Sequence, residues 1–319
     1  MRHIFIINPV AGKGKVQHNI VNNIHALLKN KNTEYEVYFT KFKGDANSFV
    51  INKCKDQVPT VFYACGGDGT LHEVINSACS FNHAFIGVIP CGSGNDFVKN
   101  FENETYFQDI VSQINGEVIK LDLIKAKDEY AVSVCNVGLD ADAAFNMHKF
   151  KKIPFITGSG CYILSVFYCL LKNLGKNLKV VVDENETING TFLLGVIANG
   201  HSYGGGYKCA PKAAINDGIM DLCFVSNMSR LSIVGFINDY KTGTHLENKK
   251  LQKYIIYKKC NHVTLTSNES INLCIDGESY LSDELDLKIV PSALNFWLPK
   301  GVQIQNVQES DNAEVVPII

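Results

Sequence analysis

The sequence predicts a two-domain protein: an α/β domain with a parallel sheet, followed by a mainly antiparallel β-sandwich domain. The first third of the chain alternates strand-like and helix-like segments, which is typical of a parallel sheet covered by helices on both faces. From about Glu117 the strand-like segments become longer and closer together, as in an antiparallel sandwich or barrel. A chain of 319 residues has room for about two domains. We predict them over residues 1–120 and 121–300, with a C-terminal tail over 301–319.

Hydrophobic periodicity places the individual elements. In the first domain, Ile20, Ile24, Leu27 and Leu28 recur at helical spacing and mark the first helix. Around it we predict strands at 4–7, 34–40, 61–65 and 85–89 and further helices at 45–55 and 71–78. In the second domain we predict strands at 118–125, 130–137, 179–182, 191–197, 220–225, 261–265, 271–275 and 285–289. Helices are predicted there around 141–148, 161–172 and 231–240.

Composition and charge narrow the class of protein. The chain is 46% apolar and 19% charged with a formal net charge of -2, which excludes a disordered chain and a strongly basic nucleic-acid binder. The N-terminus fits no secretory signal, and the longest nearly uncharged apolar stretch, 161–171, is shorter than the ~20 residues of a spanning helix. Eleven cysteines, an odd number without a CxxC pair, indicate reduced core thiols. We therefore expect a cytoplasmic protein.

The strongest local motif is the glycine-rich turn GGDGT (66–70), between a predicted strand and a predicted helix. Its glycines let backbone N–H groups approach an anion, and a helix N-terminus adds partial positive charge. Asp68 would repel a phosphate there unless a cation or a proton transfer is involved. The alternative is an ordinary turn in which Asp68 makes local hydrogen bonds. Thr70 and Glu73 have capping-box spacing, which predicts that they start the helix.

Two more glycine-rich turns follow predicted strands. They are NPVAGKGK (8–15) and PCGSGNDF (90–97), and in the second Ser93 and Asp96 have a spacing similar to a capping box. Neither turn has the spacing of a P-loop or of a GxGxxG dinucleotide fingerprint. Because the carboxyl ends of parallel strands meet at one sheet edge, the three turns together predict a nucleotide-phosphate site at that edge.

The second domain contains its own polar and glycine-rich segments. NGHSYGGGY (199–207) runs into PKAAINDG (211–218), and Asp276-Gly277-Glu278 separates two strand signals. On their own, these segments are typical of hairpins and turns.

The motifs occur in the order found in a known family. The pieces are NPVAGKGK (8–15), GGDGT with LHEVIN (66–76), IPCGSGNDFVKN (89–100), VIKLDL (118–123), GGGYKCAPKAAINDGIMDL (204–222) and IDGE (275–278). With them the chain resembles the diacylglycerol kinase catalytic-domain family, in its soluble bacterial lipid kinase branch, and is similar to sphingosine and ceramide kinases. GGDGT alone also resembles NAD kinases and phosphofructokinases. The resemblance implies a Rossmann-like, NAD kinase-like first domain, with ATP in the cleft and a lipid hydroxyl as acceptor.

Carried over by position, the resemblance implies which residues line the nucleotide. Two of them depart from the more common family residues, since Ser93 stands in place of Thr and His72 in place of Asn. The full set is Asn8, Pro9, Val10, Ala11, Gly12, Thr40, Gly66, Gly67, Asp68, Gly69, Thr70, Leu71, His72, Glu73 and Ser93.

The resemblance also implies a metal site and a general base. A Mg²⁺ ion would be held by the Asp217 carboxylate and by the main-chain oxygens of Ala214 and Ile219. A second carboxylate, Asp122, would support the network of water molecules around the ion. Glu278 would accept the proton of the attacking hydroxyl. Asp68 is the rival for this role, and we favour Glu278.

The resemblance leads us to expect an ATP- and Mg²⁺-dependent lipid kinase that phosphorylates the hydroxyl of a lipid such as diacylglycerol, giving phosphatidic acid. The alternatives are an NAD kinase-like phosphotransferase and a non-catalytic regulator that binds a nucleotide or a lipid. We expect peripheral contact with membrane lipid and no nucleic-acid partner; a homodimer stays open.

One segment of the second domain has the composition of an interfacial membrane element. Residues 153–156 and 161–171 are apolar and are flanked by Lys149, Lys151, Lys152 and Lys172. The alternative is a helix packed on the sheet of the second domain, because the segment is apolar nearly all round.

Overall fold

The chain forms two units that are interleaved in sequence. The structure, a computed structural model, describes residues 1–14, 16–29, 33–150, 158–172 and 174–305. Unit one comprises Met1–Leu123 and Pro291–Gln305, and unit two, as far as it is described, comprises residues 124–290. The predicted two-domain architecture is confirmed.

Four parallel strands form the centre of unit one. The first elements are β1 (Arg2–Ile7), α1 (Val16–Leu28), β2 (Tyr35–Phe39), α2 (Asp45–Cys54), β3 (Thr60–Gly66), α3 (Asp68–Ala78) and β4 (Ala84–Pro90). These strands pair in the order β2-β1-β3-β4, and every pair is parallel. Every residue of β1 and β3 is buried, as expected where apolar runs lie inside a sheet covered on both faces. The next elements are β5 (Phe101–Glu102), α4 (Ile110–Ile114) and β6 (Glu117–Ala126).

Unit two is mainly antiparallel. Its strands are β7 (Glu129–Ala131), β8 (Val134–Gly138), β9 (Lys176–Val182), β10 (Glu186–Ala198), β11 (Met220–Ser226), β12 (Ile255–Cys260), β13 (His262–Ile275) and β14 (Glu278–Leu298), and β15 (Gln303–Ile304) follows. Its helices are α5 (Leu139–Asn146), α6 (Gly158–Leu170), α7 (Arg230–Thr242) and α8 (Lys249–Gln252). Among the helices of the described residues, none has the length and apolarity needed to cross a bilayer.

Two long strands join the layers of unit two. One half of β10 pairs with β9 and the other half with β8, and β13 likewise pairs with both β9 and β8. The pairing register of β13 shifts between Thr266 and Ile271, which is where the strand passes from one partner to the other. Strands that change partner at such irregularities form the corners of a sandwich. They enclose a core in which Val137, Val180 and Leu287 are fully buried.

The end of the chain corrects the predicted domain boundaries. We predicted that the second domain runs to residue 300 and that a loose tail begins at 301. Instead, residues 291–305 belong to unit one, where Phe296 of β14 pairs with Ile86 of β4 and β15 pairs with β5. Strand β14 runs through 21 residues, so the strand pattern contains no signal for the change of unit within it.

The cysteines are consistent with a reduced interior. All eleven are free thiols, and all except Cys79 are buried. Burial raises the pKa of the Cys91 thiol to about 11, which keeps it protonated and unreactive at neutral pH.

A partly buried carboxylate connects the long glycine-rich loop of unit two to its helices. The Asp140 carboxylate, on α5, accepts hydrogen bonds from the hydroxyls of Tyr203 and Tyr162. Tyr203 and Tyr207 form a β-bridge that closes the loop over the three glycines between them. Burial raises the pKa of Asp140 to about 6, although the two tyrosine hydroxyls favour its charged form.

The side chain of Asp276 attaches the turn of the β13–β14 hairpin to the backbone of residues 132–134. Its carboxylate accepts hydrogen bonds from the backbone N–H groups of Val132, Ser133 and Val134, at 2.6, 2.9 and 3.0 Å. The Asp276 N–H in turn donates to the Val134 carbonyl at 2.9 Å. Asp276 and Gly277 have φ values of 45° and 91°, so they form a tight turn with both residues in the left-handed region. The predicted hairpin turn at 276–278 is therefore confirmed, and its aspartate has a structural role.

We expect Asp276→Ala to lower the free energy of unfolding by about 3 kcal/mol, because three N–H groups lose a charged acceptor. Urea unfolding followed by circular dichroism measures the change. Asp283→Ala is the matched control, since Asp283 is an exposed carboxylate on the same hairpin. An equal loss of stability in both variants would contradict the role assigned to Asp276.

Candidate functional site

The parallel sheet of unit one brings the glycine-rich turns to one edge. In the strand registers, Ile7 is opposite both Phe39 and Cys65, and Gly66 is opposite Pro90. The turns that follow these residues therefore start from neighbouring positions at the carboxyl end of the sheet. Thr40 comes directly after β2, and its N–H donates to the Ile7 carbonyl at 2.9 Å.

Asn8 connects the first turn to helix α3. Its side-chain amide donates to Thr70 Oγ1 at 3.1 Å, while its side-chain oxygen accepts from the Val10 N–H at 3.1 Å. The Asn8 backbone N–H donates to the Cys65 carbonyl at 3.0 Å. Asn8 thus holds the backbone of residues 8–11 beside the start of α3, and Val10 is left 79% exposed at this edge.

The second and third turns touch through their main chains. A Cβ atom on Gly92 would lie 2.5 Å from the Gly67 Cα, so no side chain fits at position 92 without separating the turns. The Cys91 N–H donates to the Gly66 carbonyl at 2.8 Å and fixes their spacing. The edge is therefore lined by backbone, which is the surface that an anionic phosphate group can approach closely.

Helix α3 starts earlier than predicted, and the predicted capping box is wrong. The helix begins at Asp68 with Gly67 as its N-cap residue and no side-chain cap. Glu73 instead accepts the Gly44 N–H at 3.0 Å, and the Thr70 hydroxyl is bonded to Asn8. The early start brings the first turn of α3, where the helix dipole places partial positive charge, to the same edge.

Asp68 has a structural partner that the sequence analysis missed. Its carboxylate accepts the backbone N–H of Asp96 at 2.8 Å, which joins the second turn to the third. Asp96 forms an ion pair with Lys99 at 2.5 Å. The capping expected from Ser93 and Asp96 is also wrong, because the short 3-10 helix Phe97–Asn100 has no side-chain cap.

The side chains expected at the nucleotide differ in burial. Ser93 is exposed at the edge, whereas Leu71 and His72 are only 2% and 7% exposed and pack into unit one. Since Leu71 and His72 are buried, their side chains do not lie on the surface of the edge. The structure thus brings together the backbone of residues 8–12, 66–70 and 91–96, but not every side chain that the resemblance implied.

The expected metal ligands are divided between the units. Asp122 belongs to unit one, where it is 2% exposed and accepts the Ser292 N–H at 2.7 Å. Ala214, Asp217 and Ile219 belong to unit two, where the Asp217 carboxylate accepts the Ile219 N–H at 3.2 Å and the Lys259 ammonium at 3.0 Å. No cluster of three His, Cys, Asp or Glu side chains suited to a metal is found in the described part of the chain.

A carboxylate with neighbouring main-chain oxygens has the donor chemistry that Mg²⁺ prefers. The residues of the 214–219 loop therefore fit a hard cation by ligand type, in competition with Lys259. A second carboxylate, Asp221, is fully buried nearby with the Lys259 ammonium at 4.0 Å. Burial raises the pKa of Asp221 to about 6, and Lys259 acts against that shift.

Glu278 is the first residue of β14 and lies opposite Ile275 in the hairpin. Its side chain is partly exposed, and the turn before it is held by Asp276. Glu278 is therefore an accessible carboxylate on a well-fixed backbone.

A cavity of about 520 Å³ lies in unit two and was not predicted. Leu139, Leu174 and Leu193 form part of its wall. Two of its polar residues, Asp142 and Asn272, contact each other. Asp142 forms an ion pair with Lys176 at 3.1 Å and accepts a hydrogen bond from the Asn272 amide at 2.7 Å. The Asn272 side-chain oxygen is buried with no hydrogen-bond donor among the described residues. A ligand hydroxyl is the kind of group that would satisfy it.

No motif marked this cavity. Asp142 and Lys176 are far apart in sequence, and Asn272 interrupts a strand pattern without a spacing that indicates chemistry. Only the pairing of β13 with β8, from which α5 follows, brings these side chains together.

Comparison with known proteins finds relatives that cover most of the chain. Relatives named diacylglycerol kinase include one from Staphylococcus aureus, 28% identical over 278 residues that cover 86% of this chain and 84% of the relative. Another, from Bacillus subtilis, is 25% identical over 278 residues that cover 86% and 88%. A crystal structure of a diacylglycerol kinase from Bacillus anthracis matches with a TM-score of 0.66 at 17% identity, covering 94% of this chain and 97% of that one, and so shares the fold.

Family models account for both units. The diacylglycerol kinase catalytic domain matches residues 2–126, and the YegS C-terminal NAD kinase beta sandwich-like domain matches residues 133–298, more than half of the chain. The chain therefore belongs to the diacylglycerol kinase catalytic-domain family, in its YegS-like soluble bacterial branch.

Proposed function

We propose that the protein is an ATP- and Mg²⁺-dependent lipid kinase that phosphorylates the hydroxyl of a lipid such as diacylglycerol. The observation that carries the proposal is the backbone edge of unit one, where Gly67 and Gly92 meet and α3 begins. The names of the relatives support a kinase that acts on a lipid.

In this mechanism unit one holds the phosphates. Phosphoryl transfer depends mainly on positioning and on neutralising the charge of the phosphate oxygens. The N–H groups of the first turn of α3 and of the two adjoining turns would donate to these oxygens. Mg²⁺ would supply further charge neutralisation, with Asp217 and the main-chain oxygens of Ala214 and Ile219 as its ligands on this chain.

We assign the proton acceptor to Glu278 rather than to Asp68. The Asp68 carboxylate accepts the Asp96 N–H and joins two turns, so its geometry favours a positioning role. Glu278, which is partly exposed like Asp68, stands on a hairpin fixed by Asp276. A positioned carboxylate base contributes roughly 10²–10⁴-fold to a rate.

The cavity of unit two is where we place the polar end of the acceptor. Its leucines suit a lipid chain, and the unsatisfied oxygen of Asn272 suits a hydroxyl. The ion pair of Asp142 with Lys176 in the cavity wall would orient that end.

Radiolabelled ATP offered to a panel of acceptors tests the proposed reaction. The panel contains diacylglycerol, phosphatidylglycerol, sphingosine and NAD, each with Mg²⁺ and with EDTA, and thin-layer chromatography separates the products. We expect label on a lipid, with diacylglycerol as the first candidate, and none in EDTA. Label on NAD alone would favour the soluble-nucleotide alternative, and no transfer at all would favour a non-catalytic regulator.

Gly92→Ala is expected to weaken ATP binding at least about tenfold, since the added methyl group separates the two turns. Isothermal titration calorimetry measures the Kd. Gly235→Ala is the matched control, because a Cβ atom at Gly235 meets nothing within 4 Å. Unchanged binding in Gly92→Ala would remove the backbone edge from the nucleotide site.

Glu278→Gln should lower kcat by roughly 10²–10⁴-fold and leave the Kd for ATP unchanged, because only the proton acceptor is removed. Glu284→Gln, an exposed position on the same strand, is the control. Asp68→Asn keeps an acceptor for the Asp96 N–H, so we expect it to retain most of its activity. A large loss in Asp68→Asn together with normal turnover in Glu278→Gln would reverse the assignment.

A further inference from the structure

Unit two exposes large apolar side chains where α6 ends and α7 begins. Phe167, Leu171, Leu231 and Val234 are 63%, 81%, 87% and 67% exposed. We call these four residues the apolar patch. Single exposed apolar residues are ordinary on a soluble protein, whereas a contiguous group indicates an interaction surface.

Arg230 brings the two halves of the apolar patch together. Its guanidinium donates to the carbonyl oxygens of Leu170 and Lys172, at 2.8 and 3.2 Å. Leu171 lies between these two carbonyls in sequence, and Leu231 follows Arg230 directly. Leu231 and Val234 are three residues apart on α7, a spacing that places them on one side of that helix, and Leu171 directly follows the last residue of α6.

The rim of the apolar patch is basic. The Lys149 and Lys172 ammonium groups both lie over the Tyr168 ring, 4.9 and 4.5 Å from its centre. The exposed residues of α7 include Arg230 and Lys241 but no carboxylate.

Acidic groups near the rim are engaged elsewhere. The one carboxylate of α7, Asp239, accepts from the Asn248 amide at 2.6 Å, and Asp142 pairs with Lys176. Apolar side chains surrounded by Lys and Arg match an anionic lipid surface in both polarity and charge.

Among the described residues of unit two, the packing of α6 and α7 does not use the apolar patch. Helix α6 meets α5 through Ser165, whose hydroxyl donates to the Ala143 carbonyl at 2.6 Å, and it buries Cys161 and Cys169. Helix α7 buries Ile233 and Phe236 on the opposite side from Leu231 and Val234. Both helices therefore keep a second apolar surface that the core does not need.

The apolar patch adjoins the cavity that we assigned to the acceptor. Cys169, Lys172 and Leu174 line that cavity, and Lys172 also belongs to the rim. A lipid that enters beside Leu171 would reach the cavity without crossing much water.

We propose that the apolar patch and its basic rim dock the protein on an anionic bilayer, so that the acceptor enters the cavity from the membrane. The proposal rests on the proposed function in unit two. The apolar segment at 153–156, which the sequence analysis singled out, lies outside the described residues. Helix α6, which follows that segment, has features of both interpretations, the interfacial element and the packed helix. One of its sides packs on α5 and the other is exposed.

Vesicle co-sedimentation tests the docking surface with the full chain. The vesicles contain phosphatidylcholine alone or phosphatidylcholine with the anionic lipid phosphatidylserine, and neither contains a lipid from the acceptor panel. We expect binding to the anionic vesicles that weakens as salt is raised. The double variant Leu171→Ser/Leu231→Ser should bind roughly a hundredfold more weakly, about tenfold for each leucine that no longer enters the interface.

Two further variants separate the apolar and the electrostatic contributions. Lys241→Gln should weaken binding to anionic vesicles about fivefold and flatten its salt dependence. Leu281→Ser is the matched control, because Leu281 is a leucine 65% exposed on the β13–β14 hairpin. Circular dichroism and thermal unfolding establish that each variant is folded.

The outcomes are distinct. Equal vesicle binding by the wild type and the double variant would overturn the docking surface, as would binding that Leu281→Ser reduces by the same factor. A dimer in solution that the double variant dissociates, without vesicle binding, would assign the apolar patch to a second copy of the chain instead.

Phosphorylation of a water-soluble short-chain diacylglycerol needs no membrane, so measuring it tests the proposed function separately from the docking surface. Phosphorylation of this diacylglycerol without vesicle binding would remove the docking surface and leave the kinase. Vesicle binding by the apolar patch without phosphate transfer to any lipid would remove the kinase and leave the docking surface.

Discussion

The candidate site depends on the contact between the main chains of Gly67 and Gly92. Strands β3 and β4 are adjacent and parallel, so the turns that leave their carboxyl ends must pass each other within a few ångströms. With no side chain at either position, the turns can meet directly, and the Cys91 N–H reaches the Gly66 carbonyl. The Asp68 carboxylate then holds the Asp96 N–H across the same junction. A Cβ atom at position 92 would separate all of these groups, and with them the backbone donors that a phosphate needs.

Four aspartates show why the role of a carboxylate cannot be interpreted from its neighbours in the sequence alone. Asp68 and Asp276 both accept main-chain N–H groups and join segments far apart in sequence, whereas Asp217 is paired with a lysine. Asp140 is partly buried and accepts hydrogen bonds from two tyrosine hydroxyls, and its pKa is raised to about 6. All four are followed by Gly or Ala in the sequence. Their roles differ because burial and the nearest donor decide what a carboxylate does.

Much of the fold could be predicted because its signals are local. The strand–helix alternation before residue 90 and the Asp276-Gly277 turn each depend on a few neighbouring residues, and both agree with the structure. The return of residues 291–305 to unit one is not local, since it depends on Phe296 pairing with Ile86 about 200 residues earlier. The predicted capping box at Thr70 and Glu73 was wrong for the same reason. The Thr70 hydroxyl is bonded to Asn8 and the Glu73 carboxylate to the Gly44 N–H, and both partners are distant in sequence. The turns of the candidate site were therefore predictable, but the partners of their side chains and the cavity of unit two were not.

The two units contribute different kinds of chemistry, and this difference has consequences for specificity. Unit one offers backbone N–H groups. The turns that carry them require glycine where they touch, but accept other residues elsewhere, such as Ser93 at an exposed position. Unit two offers side chains: the carboxylate of Glu278, and a cavity whose shape depends on Leu139, Leu193 and the Asp142–Lys176 pair. If the cavity holds the acceptor, as we propose, changes in its wall would alter which hydroxyl-bearing lipid fits without changing the turns of unit one. Under the proposed function, the edge of unit one would therefore set the reaction class and the cavity of unit two would set the acceptor.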